Sequence, residues 1–411
     1  MNWKHVSLGE ISVNIQTGPF GSQLHQSDYS EKGTPVVMPK DLISGHISEE
    51  SIARVSDDHV ERLSRHKIEV GDILYSRRGD VGRCAFASET EAGWLCGTGC
   101  LRVTIDSRKA NPKFVFYQLL KADTIGWVEK HAVGSTMLNL NTSILSSVPI
   151  DLPSHDKQNH IVGVLSAYDD LIENNQKQIK LLEEAAQRLY KEWFVDLRFP
   201  GHETTPIVDG VPDGWTYKPF SEVFDYVRGK SYTSKELSDT TGILMANLKN
   251  IRAFGGYNRN AEKRFTGQYK ANQMLYDGDI VMGVTDMTQE RRLVGHVALV
   301  PDLGEKMTFS MDLIKIIPKL TDNLFLYSAM YYGGLSKQIS PLANGVNVLH
   351  LKPEAMMGIE MLIPTKDILE RYHQQFAPMV TRIEALQKQC DVAAEARDRL
   401  IPKLMNREIE V

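Results

Sequence analysis

Two stretches of this chain, 165–193 and 376–404, place residues on one helical stripe at alternating spacings of three and four. The first stripe is Leu165, Tyr168, Ile172, Asn175, Ile179, Leu182, Ala186, Leu189 and Trp193. Adding 211 to each number gives Phe376, Met379, Ile383, Leu386, Cys390, Ala393, Arg397, Leu400 and Leu404, with Arg397 the one non-apolar member. This is the a/d pattern of a coiled coil. Each helix covers some 40 residues, or about 60 Å at 1.5 Å per residue. A lone helix would leave its apolar stripe in water, so the two are expected to pair, antiparallel, around an internal two-fold. Asn175 on the seam has two readings: a buried register-setting residue, or a solvated one. Pro153 with Ser154, and Pro364 with Thr365, mark the two helix starts.

The same offset runs through the rest of the chain. Trp3 and Trp215 open two halves, and Leu8-Gly9-Glu10-Ile11 matches Phe220-Ser221-Glu222-Val223. Gly71-Asp72-Ile73-Leu74 matches Gly278-Asp279-Ile280-Val281, and Gly134, Leu138 and Leu140 match Gly345, Leu349 and Leu351. Short β-rich runs such as Asp72–Ser76, Leu101–Ile105, Asp279–Val284, Gly295–Val300 and Leu313–Ile317 alternate with Gly and Asn/Asp turns. Helices are expected at Pro112–Leu120 and Asn323–Tyr332, with Pro112 suited to a first helical turn. The fold class is therefore α+β: two pseudo-repeated domains separated by two long helices. The expected boundaries are 1–153 and 215–364 for the domains, 154–198 and 365–411 for the helices, and 199–214 for a Pro/Gly-rich linker. After Lys403 only Leu404 offers a packing face. Two similar domains held by helical arms suit the reading of two sites on one extended partner.

Composition narrows the class. The chain has 411 residues, 42% hydrophobic and 24% charged, enough for two or three cored domains. No apolar run approaches the roughly 20 residues a membrane helix needs, and the first residues lead into no secretory h-region. Cys84, Cys96, Cys100 and Cys390 lack a four-thiolate zinc spacing. A reduced, cytoplasmic protein with no membrane association is expected. The net charge of −5 is not that of a basic nucleic-acid binder. Its distribution is uneven: Lys249, Arg252, Arg259, Lys263, Arg264 and Lys270 crowd one stretch, while the helices hold much of the acid. Asn111-Pro112-Lys113-Phe114 is no methyltransferase pocket, because it lacks the second proline and any glycine-rich cofactor loop upstream. Cys96-Gly97-Thr98-Gly99-Cys100 reads as a turn between strands, and Pro301–Lys306 as a loop rather than a nuclease motif. No Walker loop and no metal-ligand spacing of histidines occurs, so no catalysis, cofactor or metal is expected on this chain.

These residues resemble the specificity (S) subunit of type I restriction–modification systems. The repeat with its helical arms carries the resemblance. So do Thr17-Gly18-Pro19-Phe20-Gly21-Ser22, Gly33-Thr34-Pro35-Val36-Val37, the stretch Gly71–Gly82, and Gly134-Ser135-Thr136-Met137-Leu138-Asn139-Leu140. The second half departs from the first of these, with Arg228-Gly229-Lys230-Ser231-Tyr232-Thr233. The resemblance implies a non-catalytic reader of a bipartite double-stranded DNA target. It implies two methyltransferase (M) subunits on the helical arms, restriction/translocase (R) subunits in the complex, and S-adenosylmethionine, ATP and Mg²⁺ on those partners.

DNA binding needs cations for phosphates and Arg, Lys, Asn, Gln, Ser or Thr for base edges. In the first half this selects Ser22, Gln23, Lys40, Arg77 and Arg78. In the second it selects Lys230, Lys249, Asn250, Arg252, Tyr257, Asn258, Arg259, Arg291 and Arg292. Beside the seams, Tyr190, Trp193, Phe194 and Val195 form an aromatic cluster with two readings, domain core or partner patch. The alternative to a DNA reader is a two-domain coiled-coil adaptor for protein partners.

Overall fold

The computed structural model describes residues 3–49, 52–134 and 138–409, without the side chain of Ser22; Ser135, Thr136 and Met137 of the last motif lie outside the described residues. Two compact units emerge, Met1–Asn174 with Cys390–Val411, and Asn175–Gln389. Their boundaries fall inside the long helices rather than at helix ends. Each unit takes a portion of both helices, His155–Tyr190 and Lys366–Met405, because each apolar stripe finds its cover on residues of the other. Pro153 and Pro364 cannot donate to a preceding turn, and the first helical bonds run from Gln158 N to Ser154 O and from Leu369 N to Thr365 O.

In the first unit an antiparallel sheet runs in the order Ser12–Thr17, Cys100–Ile105, Ile73–Ser76, Cys84–Phe86. A second sheet runs Leu95–Cys96, Thr34–Val37, Ala53–Val55, Tyr29–Ser30, its first pair parallel. Lys4–Ser7 pairs with Pro149–Leu152. The helix Pro112–Leu119 starts as expected: Asn111 Oδ1 accepts from Lys113 N and Phe114 N, and Pro112 occupies a position that needs no donor. Its buried face joins Trp3, Ile161, Leu165, Ile401, Leu404 and Met405 in one core. The chain beyond Lys403 is thus better packed than its sequence promised. Met405 is 1% exposed, and the Arg407 guanidinium lies 5.0 Å from the Trp3 ring centroid. The helical portions run in opposite directions here: Arg397 Nη1 donates to Asp169 Oδ1 at 2.8 Å, and the Cys390 thiol faces Ile172 O.

The second unit repeats the plan. Phe224–Arg228, Leu313–Pro318, Ile280–Gly283 and Val297–Leu299 form the antiparallel sheet. Leu237–Ser238, Lys263–Phe265, Ile243–Ala246, Met307–Phe309 and Met274–Leu275 form the other, again with one parallel pair. Thr216–Pro219 pairs with Glu360–Ile363, and a helix spans Asn323–Tyr331. Tyr190 and Trp193 are 8% and 6% exposed; with Phe194 they pack on Phe325 and Tyr372, so the aromatic cluster is core, with Val195 left outside it. Burying such rings contributes about 1.5–3 kcal/mol each. Asn175 is 2% exposed and donates to Gln389 Oε1 at 3.2 Å, which is the buried reading.

The segment expected as a linker is ordered. Phe199 stacks obliquely on Trp215, and Ile207–Val208 pairs with Val211–Pro212 across Asp209-Gly210. Both turn residues have positive φ, 51° and 83°, the conformation a two-residue hairpin of matching twist requires. Among the seam positions, Leu165, Ile172, Phe376 and Leu386 are buried, and Tyr168, Ile179, Leu182, Leu189, Met379, Ile383 and Leu400 are half-buried. No helix is long and apolar enough to cross a membrane among the described residues.

Candidate nucleic-acid interface

In each unit two loops, distant in sequence, are bonded into one platform where an inner strand of the antiparallel sheet ends. In the first unit the strand Ile73–Ser76 is wholly buried and runs into Arg77-Arg78. Arg77 N donates to Gly99 O, and Arg77 O accepts from Leu140 N, both at 2.8 Å. Gly79 N donates to Leu138 O, Arg78 bridges Asn139, and Val133 and Asn139 exchange backbone bonds. Gly79 turns the chain at φ 75°, a left-handed conformation that suits glycine.

The second unit reproduces these bonds residue for residue. Val284 N donates to Asp312 O, and Val284 O accepts from Leu351 N, both at 2.8 Å. Thr285 and Asp286 pair with His350 and Leu349, and Asn344 and His350 exchange backbone bonds. The loop 287–293 then turns around one inaccessible carboxylate. Asp286 Oδ1 accepts from Thr288 N and Oγ1, both at 2.8 Å, and Oδ2 accepts from Leu293 N at 2.6 Å and Val294 N at 3.3 Å. Burial pushes this carboxyl up, but the amides of Leu293, Thr288 and Val294 outweigh it and hold the group below the usual carboxylate range. Gln289 Nε2 donates to Val346 O at 2.7 Å and ties the two loops together at their tips.

The arginines expected to touch DNA stand on these platforms. Arg78 is exposed; Arg77, Arg291 and Arg292 are half-buried, each with an Nε that finds no acceptor among the described residues. Arg292 is paired with Glu290, and Arg291 has φ 54°. The first-motif glycine also has a backbone reason. A Cβ on Gly18 would lie 1.9 Å from Gly97 O, and one on its counterpart Gly229 would lie 2.0 Å from Ser310 O.

The other candidates divide. Lys40, Lys249 and Arg252 are exposed, and Lys230 is half-buried. Gln23 turns its Oε1 to Phe20 N, and the side chain of Ser22 is outside the described residues. Three residues expected at a DNA surface are instead used inside the second unit. Asn250 is wholly buried and donates to Asn258 O and Glu262 Oε1, while its own Oδ1 accepts from Asn247. Tyr257 is 7% exposed and lies in a core with Phe309 and Val281. The Arg259 side chain is 7% exposed, and its Nη1 donates to Glu384 Oε1 at 2.6 Å. A buried guanidinium needs such a partner, so Arg259 anchors its loop to the long helix. Asn258 remains half-buried, its amide donating to Lys249 O. Polar composition alone does not separate an exposed loop from one stitched internally by asparagines. The second loops of the platforms, at 138–140 and 344–351, were legible as repeat landmarks but not as neighbours of the arginines, because the bonds joining them span some 60 residues.

The arrangement matches known proteins. Residues 1–184 match the family model described as Type I restriction modification DNA specificity domain. The MjaIX type I restriction enzyme specificity subunit of Methanocaldococcus jannaschii is 27% identical, over 92% of this chain and 87% of that protein. The HindI specificity subunit of Haemophilus influenzae is 21% identical, over 99% of this chain and 100% of its own length. The crystal structure of the type I restriction–modification S subunit from M. genitalium shares the fold, with a TM-score of 0.56 at 14% identity, covering 98% of this chain and 96% of that one. Over nearly its whole length the chain is similar to specificity subunits of type I restriction–modification systems, and residues 1–184 match the model of their DNA specificity domain.

Proposed function

We propose that each unit reads one part of a bipartite DNA target through its loop platform. The observation that carries this is the duplication: one backbone hydrogen-bond pattern, built twice from dissimilar sequences, with an arginine pair on each copy. The bonded frame is shared while the side chains differ, as two different half-targets require. The long helices pair as an antiparallel coiled coil, with Asn175–Gln389 and Asp169–Arg397 setting its register. The domains are 1–153 and 215–364, the helical arms 154–198 and 365–411.

The chain itself performs no chemical step. Two M subunits held by the arms, and R subunits recruited to the complex, supply methyl transfer and cleavage. S-adenosylmethionine, ATP and Mg²⁺ belong to them. Work is expected to occur in the cytoplasm, where the DNA is.

Salt titration of duplex binding by the complex with M tests this reading. Alanine at Arg77 and Arg78, or at Arg291 and Arg292, should weaken binding. Where an arginine neutralises a phosphate, its removal should lower the slope of log K against log salt by about 0.9. Unchanged affinity and slope in both double variants would remove the platforms from the interface.

A further inference from the structure

The platform of the second unit ends in two apolar side chains. Val346 and Met287, 87% and 77% exposed, are the two most exposed large hydrophobic residues among the described residues. Scattered exposed aliphatics need no explanation, but these two stand on one bonded loop pair. Gln289 joins their loops, and Asp286 fixes the turn that carries Met287. Arg291 and Arg292 follow on the same loop, Arg292 paired with Glu290, so the loop that carries Met287 also carries two guanidinium groups and one carboxylate. Ordered apolar tips beside cations fit a partner that offers an apolar group within an anionic surface. Duplex DNA has one such group on a base edge of the major groove, the 5-methyl of thymine.

We infer that Val346 and Met287 contact thymine 5-methyl groups in the half-target read by the second unit, and so determine part of its specificity. This rests on the DNA-reading function proposed above. Such a contact carries sequence information but no charge. It discriminates thymine from cytosine and from uracil, and leaves the salt dependence to the arginines.

The test uses the complex of the full chain with its M subunit and duplexes carrying the mapped target. Each thymine of the second unit's half-target is replaced in turn by deoxyuridine, which deletes the methyl alone. The wild-type complex should lose about three- to fivefold in affinity at one or two positions, the worth of one buried methyl. V346S and M287S should bind the thymine duplex more weakly by a similar factor. They should no longer distinguish thymine from uracil at the position each one reads, and their salt slopes should be unchanged. The inference is overturned if no uracil weakens wild-type binding, if that half-target lacks thymine, or if both serine variants still sense the methyl. Weakened association with the M subunit and unchanged thymine–uracil discrimination would assign the tips to protein docking, which also overturns it. Absence of any target-specific binding by the wild-type complex would instead sink the DNA-reading function.

Discussion

At the scale of single residues, the carboxylate of Asp286 shows how one side chain can hold a loop through the loop's own backbone. It accepts four hydrogen bonds from the loop it organises and is inaccessible to solvent. Asp286→Asn keeps the volume but replaces one acceptor oxygen with a donor facing N–H groups. A loss of about 2–4 kcal/mol is expected at neutral pH. The folded carboxyl titrates below its unfolded value near 3.9. Its contribution is therefore fully present above that value and fades as pH falls through the folded one. Urea unfolding of both forms should show a constant gap from pH 8 to pH 5 that narrows below about pH 4. A gap that persists undiminished in acid would mean the charge plays no part. Residues of this kind are hard to read from sequence. Thr285-Asp286-Met287-Thr288 has no periodicity, and the donors Leu293 and Val294 are apolar residues acting through their backbones. Asn250 misled in the opposite sense: an asparagine beside lysines reads as surface, yet its amide is consumed in the interior.

Among elements, what was legible was what repeats locally. The long helices follow from a seven-residue pattern, and the Pro112–Leu119 helix from Asn and Pro at its start. The Asp209-Gly210 hairpin carried a strong signal of its own, but the surrounding prolines and glycines made the segment look like a tether. The pairing of residues 77–79 with 138–140 depends on long-range backbone bonds that no local pattern announces. Arg397, the polar exception on its seam, acquires a reason from three dimensions. It meets Asp169, whose other oxygen is bound by Tyr117 and approached by Lys113 at 3.6 Å. The equivalent positions of the second unit, 211 residues away, are Val380 and Ala186, so the ion pair has no copy there. Arg397→Leu leaves one buried carboxylate oxygen without its donor, with Tyr117 and Lys113 still on the other, and should destabilise the chain by about 2–3 kcal/mol. Adding Asp169→Leu should restore a large part of that loss, since the apolar counterpart is the solution the second unit already uses. Denaturant midpoints of the single and double variants decide it. A double variant weaker than the single one would show that the pair is worth more than an apolar seam.

For the whole molecule, the account is that one scaffold is used twice and carries different loop-borne side chains on each copy. That predicts separable damage: altering one platform should change one half of the target and leave the other half intact. The measurement is single-molecule mapping of N6-methyladenine in a methylation-free host that expresses this chain with its M subunit. Wild type should give one bipartite motif that depends on both chains. The Arg77→Ala/Arg78→Ala variant should relax one half of that motif, and the Arg291→Ala/Arg292→Ala variant the other. A motif that stays intact in both variants, or that degrades in both halves at once, would contradict the claim that each platform reads its own half-target.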